Sequence, residues 1–217
     1  MKRIGLFGGT FNPIHLGHLR TAVEVGEKLS LDVVFLIPSA LPPHKDSTAL
    51  ISAEDRLAMA RIAVEGSGLF QVSDVELRRS GPSYTIDTVR HFKSRFGDAS
   101  LFWIVGSDAF LELDTWKDYQ SLLDEIAFVV MTRPGFPAGE DLRDAMDVFI
   151  RSKISGGYRS EASGYFHPEK KPILPVRVSL IEISSSRMRE LIRAERSIDF
   201  MAPEKVLAFI KEKRLYL

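Results

Sequence analysis

The chain has 217 residues, 45% of them hydrophobic and 27% charged, with 29 Lys plus Arg against 29 Asp plus Glu and no cysteine. That length supports one sizeable core, and the zero formal net charge gives no bulk attraction to nucleic acid or membrane. Disulfides and thiolate metal sites are excluded, and no apolar run is long enough to span a bilayer.

A first strand beginning by residue 3 leaves no room for a signal peptide, so the expected compartment is the cytoplasm. Apolar Ile4 to Phe7 reads as a short buried strand that Gly8 and Gly9 end with a turn. Pro13 then fixes φ before a helix whose apolar stripe runs through Leu16, Leu19, Val23 and Gly26. Asp32 to Ile37 reads as a strand buried on both faces, followed by a polar loop from Ser39 to Ser52. A helix is expected from about Ala53 to Glu65 and a strand near Phe70 to Leu77. Ser83-Tyr-Thr opens a helix with Ile86, Val89, Phe92 and Phe96 on its apolar side. Leu101 to Val105 and Ile126 to Met131 are the next strands, and Val178 to Ile183 is expected to be the last. Between 134 and 175 the sequence reads as a helix near Asp141 to Ile150 and then a long loop. The tail is helical, with Pro203 near the start of a segment that buries Val206, Leu207 and Ile210.

Alternating strands and helices predict an α/β, doubly wound, mostly parallel sheet, here a single domain over 1–217 whose helical end (about 184–217) packs on it. Such sheets bind ligands at the carboxyl ends of their strands.

The most informative stretch is Gly8-Gly-Thr10-Phe11-Asn12-Pro-Ile-His15-Leu-Gly17-His18. His15 and His18 stand three residues apart in the first turn of a helix, so their rings share one face. A helix start with free N–H groups and two imidazoles makes an anion site. Gly17 removes bulk where a substrate could lie. The glycine spacing matches neither a Walker A loop nor a dinucleotide fingerprint. A lone Gly-Gly is usually only a turn and a lone helical His usually filler, but the whole string is hard to explain that way.

This string resembles the G-G-T-F-[DN]-P-x-H-x-G-H signature of the nucleotidyltransferase superfamily, with Asn12 where Asp is frequent. Ile183-Ser184-Ser185-Ser186-Arg-Met-Arg189 is by itself a capped helix start with solvated arginines. It is similar to the superfamily's I-S-[ST]-[ST]-x-[IL]-R segment, with Ser186 and Met188 where Thr and Ile are common. Gly106-Ser-Asp108, followed by Leu113 and Trp116, is similar to its G-x-D-x-x-x-x-L-x-x-W pattern. Pro82-Ser83-Tyr84-Thr85 and Thr132-Arg133-Pro-Gly resemble segments of one branch, the bacterial nicotinate mononucleotide adenylyltransferases.

The resemblance implies a Rossmann-like fold and transfer of AMP from ATP to nicotinate mononucleotide, releasing pyrophosphate. It implies that Gly8, Gly9, Thr10, Phe11, Gly106, Asp108, Ser184, Ser185 and Ser186 bind ATP. His15, His18, Lys45 and Arg189 would carry the catalysis, and His44, Ser83, Tyr84, Thr85, Trp116 and Arg133 would bind the mononucleotide. His44 and Lys45 sit in the loop that covers the active site in that family. A phosphate oxygen is already a competent nucleophile, so no protein nucleophile is expected. Mg²⁺ would be held chiefly by phosphates and water, with no protein metal site. The partners implied are ATP and nicotinate mononucleotide, with no nucleic acid and no membrane; the oligomeric state is not legible. The alternatives are another small-molecule nucleotidyltransferase such as phosphopantetheine adenylyltransferase or a cytidylyltransferase, an aminoacyl-tRNA synthetase relative, and a non-catalytic nucleotide sensor.

Overall fold

The apolar run near the N-terminus becomes β1, Arg3–Gly9, the strand about which the sheet is built. In the computed structural model, which describes residues 1–42, 50–132 and 140–217, it pairs in parallel with β2 (Val33–Pro38) on one side. On the other it pairs in parallel with β4, Ser100–Gly106. β3 (Phe70–Val72) extends the sheet beyond β2, and β5 (Ala127–Met131) lies beyond β4. β6 (Arg159–Glu161), β7 (Gly164–Phe166) and β8 (Ile173–Val176) complete the order β3-β2-β1-β4-β5-β8-β7-β6. β8 is parallel to β5, and only the pairs β6–β7 and β7–β8 are antiparallel.

Side-chain alternation along the central strands sends apolar residues to two cores, one on each face. Ile4, Leu6, Phe35, Trp103 and Phe128 face α3 (Thr85–Phe96) and α5 (Tyr119–Glu125), against Ile86, Val89, Phe92, Leu122 and Leu123. Val34, Leu36, Ile104 and Val129 face the opposite way, toward α1 (Leu16–Lys28) and α2 (Ala53–Ala63). The C-terminal helices α7 (Ser185–Arg193) and α8 (Glu204–Glu212) join that second core through Met188, Val206 and Ile210. Deleting the side chain of a fully buried residue such as Ile104 should cost about 2–5 kcal/mol.

The chain first builds outward from β1 to β2 and β3, then crosses back to place β4 on the other side of β1. That reversal opens a crevice at the carboxyl ends of β1 and β4, where sheets of this kind hold ligands.

Three expectations change. The last strand is Ile173–Val176, and Val178 to Ile183 is extended chain outside the sheet. Pro175 is compatible with this strand, because β7 pairs with β8 only at Ile173 and the N–H that Pro175 lacks would have had no partner there. The stretch read as a long loop contains the β6–β7 hairpin. In α1 the buried stripe is Ala22, Val25 and Gly26, while Leu16 is exposed, because the first turn of this helix serves the crevice.

Candidate active site

Gly8 and Gly9 are the last two residues of β1, and each has an aromatic ring where a side chain would be. A Cβ on Gly8 would lie 2.7 Å from the Trp103 ring, and one on Gly9 would lie 2.9 Å from Phe11 Cζ. Trp103, 4% exposed within β4, lines the crevice across Gly8. Phe11 turns the chain with φ of 47° and packs its ring edge-on to Phe7, with centroids 5.6 Å apart.

The two histidines start α1 together. His15 is the N-cap, with extended φ and ψ of −146° and 170°, and its main-chain N–H donates to His18 Nδ1 at 3.3 Å. Their ring centroids are 3.7 Å apart at an interplanar angle of 30°, and the His18 ring stands edge-on to Phe11 at 5.2 Å. Gly17 lines the cavity and also makes room for this pair: a Cβ there would sit 3.0 Å from His15 Nδ1 and Cε1. The absent side chain is what lets the His15 ring fold back over its own helix.

The start of α7 lies against this turn although it is far away in sequence. Ser184 is the N-cap and its hydroxyl oxygen accepts from Arg187 N–H at 3.1 Å. Ser185 Oγ donates to Pro13 O at 2.8 Å, and Arg189 Nη1 donates to Asn12 O at 2.8 Å. Arg189 Nη2 also donates to Ser186 Oγ at 3.2 Å. Arg187 points the other way, to Glu190 on the surface. The guanidinium of Arg189 and the histidines therefore face one space.

The opposite end of the crevice is built by the start of α3, by α4 (Ser107–Phe110) and by Trp116. Thr85 and Ser83 line it; Tyr84 caps α3 and its ring lies under Lys117 Nζ, 4.4 Å from the centroid. The Ser83 hydroxyl is engaged within the protein, accepting from Ala40 N–H at 2.9 Å and Leu41 N–H at 3.3 Å. Beneath it lies Glu76, 5% exposed, whose Oε1 accepts from Thr88 Oγ1 at 2.7 Å. Burial holds the Glu76 carboxyl above its ordinary range; hydrogen bonds from Thr88 and Ser83, then the charges of Arg79 and Arg56, oppose that shift without overcoming it.

These ends belong to one cavity of about 760 Å³. Gly8, Gly9, Thr10, Phe11, His15, His18, Gly106, Asp108, Ser184, Ser185, Ser186 and Arg189 line it, together with Ser83, Thr85 and Trp116. Tyr84 is absent from the lining, and His44, Lys45 and Arg133 lie outside the described residues. Sequence reasoning did not single out Glu76 and Ser179, which also face the cavity, or Arg56 behind it; Thr132, named there only as the start of a motif, faces the cavity too. A carboxylate after a short strand and a lone arginine in a helix carry no local signature. Among the described residues no group of three or more His, Asp or Glu side chains could hold a metal ion. No described helix is long and apolar enough to cross a membrane.

The cytidylyltransferase-like family profile matches residues 6–191, the span that contains this whole cavity, and defines a class of nucleotidyltransferases. A protein of Desulfatibacillum aliphaticivorans named a probable nicotinate-nucleotide adenylyltransferase is 44% identical over 99% of this chain and 100% of its own. A relative of the same name from Pelobacter propionicus is 40% identical over 99% of this chain and 98% of its own. The chain belongs to the nicotinate-nucleotide adenylyltransferase family within that class. Among solved structures, the nicotinic acid mononucleotide adenylyltransferase of Plasmodium falciparum complexed with NaAD superposes with a TM-score of 0.74. That match covers 100% of this chain and 98% of the other at 19% identity, a likeness of fold.

Proposed function

We infer that this protein transfers AMP from ATP to the 5′-phosphate of nicotinate mononucleotide, giving nicotinate adenine dinucleotide and pyrophosphate, a step of NAD biosynthesis. The observation that carries this reading is the single cavity joining an end with the imidazoles of His15 and His18 and the guanidinium of Arg189 to a helix-start end with Trp116 beside it. Full-length relatives bearing that name support it.

In this reading a phosphate oxygen of the mononucleotide attacks the α-phosphorus of ATP in line. The new P–O bond forms as the bond from that phosphorus to the bridging oxygen breaks, and pyrophosphate leaves with those electrons. No covalent protein intermediate is needed. The protein has to hold two polyanions in attacking geometry and stabilise charge as it spreads over the transferring group. His15, His18 and Arg189 supply donors for that charge, and the N-terminus of α7 adds its dipole. Gly8, Gly9, Thr10 and Phe11 form the wall against which the nucleotide lies, and Gly106 and Asp108 offer an acceptor for its ribose. Ser184, Ser185 and Ser186 serve by shaping the start of α7 and aiming Arg189.

The mononucleotide takes the other end, its pyridinium ring on Trp116 and its carboxylate at the N-terminus of α3 beside Thr85, a start shaped by Ser83 and Tyr84, whose N–H groups donate to Leu41 O and Pro82 O. His44, Lys45 and Arg133 belong to the same proposal. Mg²⁺ fits as an ion carried on the triphosphate: among the described residues the carboxylates lining the cavity, Glu76 and Asp108, form no cluster. Bound there it would neutralise phosphate charge.

The test is pyrophosphate release from ATP and Mg²⁺ with a panel of phosphate acceptors. Release with nicotinate mononucleotide is expected, and release only with phosphopantetheine or with CTP-dependent substrates would replace this reading.

A further inference from the structure

Arg56 lies in the first turn of α2, 1% exposed, and reaches out of its helix to main-chain carbonyls on three segments. Nη1 donates to Thr10 O at 2.8 Å and to Ser39 O at 2.6 Å. Nη2 donates to Ala40 O at 3.1 Å, and Nε donates to Ile51 O at 3.4 Å. Among the described residues these close partners are carbonyl oxygens and include no carboxylate. A buried cation whose hydrogen bonds go to carbonyls, with Glu54 and Glu76 acting on it electrostatically, is expensive and must be held by good geometry. A planar fork is suited to that task, whereas an ammonium is a single point of donation.

Ser39, Ala40 and Leu41 are gripped from the other side by Ser83. Its hydroxyl accepts from the N–H groups of Ala40 and Leu41, and its own N–H donates to Leu41 O at 2.9 Å. Arg56 thus takes the carbonyls of Ser39 and Ala40, Ser83 takes the N–H groups of Ala40 and Leu41 with the Leu41 carbonyl, and Ser39 N–H donates back to Gly9 O at 2.9 Å. Thr10 belongs to the turn that delivers His15 and His18, while Ser83 belongs to the start of α3. Arg56 is tied by hydrogen bonds to main-chain carbonyls of both ends of the cavity, directly at Thr10 and through Ser39 and Ala40 to Ser83.

We propose that Arg56 is a positioning residue that couples the two substrate ends of the cavity through Thr10 and the segment Ser39 to Leu41. The kinetic part of this inference rests on the adenylyl-transfer reading; the mechanical part does not. Loosening the guanidinium frees the turn after β1 and the stem after β2 together. A displacement of this kind far from the reacting atoms can cost about 100-fold in rate.

The experiment compares wild type, Arg56→Lys, Ser83→Ala and the double variant. It reads kcat/KM for ATP and for nicotinate mononucleotide by pyrophosphate release, and hydrogen exchange in peptides covering 8–12 and 39–42. Arg56→Lys should lower kcat/KM for both substrates by about 100-fold and speed exchange in both peptides. Because both residues hold one segment, the double variant should be little worse than Arg56→Lys alone. Arg56→Lys with a lowered Tm, wild-type kcat/KM and unchanged exchange in 8–12 would overturn the proposal. If Arg56→Lys does not fold, Ser83→Ala decides: a raised KM for ATP supports coupling, and an unchanged one contradicts it. Loosened peptides in a protein that shows no turnover even as wild type would uphold the coupling and reject the adenylyl-transfer reading.

Discussion

The main-chain N–H of His15 donates to Nδ1 of His18, and that bond decides which ring nitrogen of His18 carries a proton. A main-chain amide can only donate, so Nδ1 is the acceptor and the neutral ring keeps its hydrogen on Nε2. His18 is thereby preset as a donor at the far edge of its ring. His18→Ala should lower turnover by about 10²–10³, the usual cost of one preorganised donor to transition-state charge. His18→Gln, whose amide nitrogen falls near the position of Nε2, should recover part of that loss, and His18→Asn should not. Equal turnover in Gln and Asn variants would reject the tautomer argument.

Gly17→Ala separates stability from geometry. Alanine gains up to about 1 kcal/mol of helix propensity over glycine. Its methyl would also stand 3.0 Å from the His15 ring and push it away. The expected outcome is an unchanged or raised Tm with kcat/KM reduced on the order of tenfold. A variant with full activity would show that the His15 ring can move without consequence.

The two arginines of α7 should behave differently. Arg189→Ala removes the donors to Asn12 O and Ser186 Oγ and the cation facing the cavity, so ATP affinity and turnover should both fall. Arg187→Ala removes only an exposed pair with Glu190, which is within about 1 kcal/mol of no effect on stability. Isothermal titration with a non-hydrolysable ATP analogue checks this, and comparable losses in both variants would contradict the placement.

Glu76 gives a pH dependence with a definite sign. Its folded-state pKa is raised by burial, so the folded protein binds this proton more tightly than the unfolded chain. The contribution is fully present below the ordinary glutamate value near 4.5 and is lost as pH rises through the higher folded value. Glu76→Gln does not titrate, so it should gain stability relative to wild type between about pH 4 and neutrality. Urea midpoints across that range test it; a difference independent of pH would mean Glu76 does not titrate with a raised pKa.

Local patterns made much of this molecule legible. His15 and His18 at helical spacing after a strand, and serines opening a helix that carries Arg189, are written in consecutive residues. The structure gathers them around one cavity. Long apolar β-branched runs marked β1, β2, β4 and β5 for the same reason. Long-range contacts were hidden. Arg56 acts on main-chain carbonyls of Thr10 and Ser39, which have no residue identity to read. Ile173–Val176 was hidden because four residues after a polar run are too short to show a period, and their pairing with β5 and β7 is unknown from sequence. The place of Trp103 at the crevice was hidden because nothing local shows that Gly8 leaves its ring open to it.

The central claim is adenylyl transfer to an acceptor that carries a carboxylate on its pyridinium ring. Both nicotinate and nicotinamide mononucleotides present the same cationic ring to Trp116, so stacking cannot separate them. The start of α3 offers N–H donors and a positive dipole end, which suit a carboxylate; an amide would turn its own donor against some of them. Sites built on such bonding can discriminate by roughly 10⁴–10⁵. The decisive measurement is kcat/KM for the two mononucleotides at fixed ATP and Mg²⁺, followed by pyrophosphate release. A strong preference for nicotinate mononucleotide is the predicted result; equal values or a preference for the amide would contradict it.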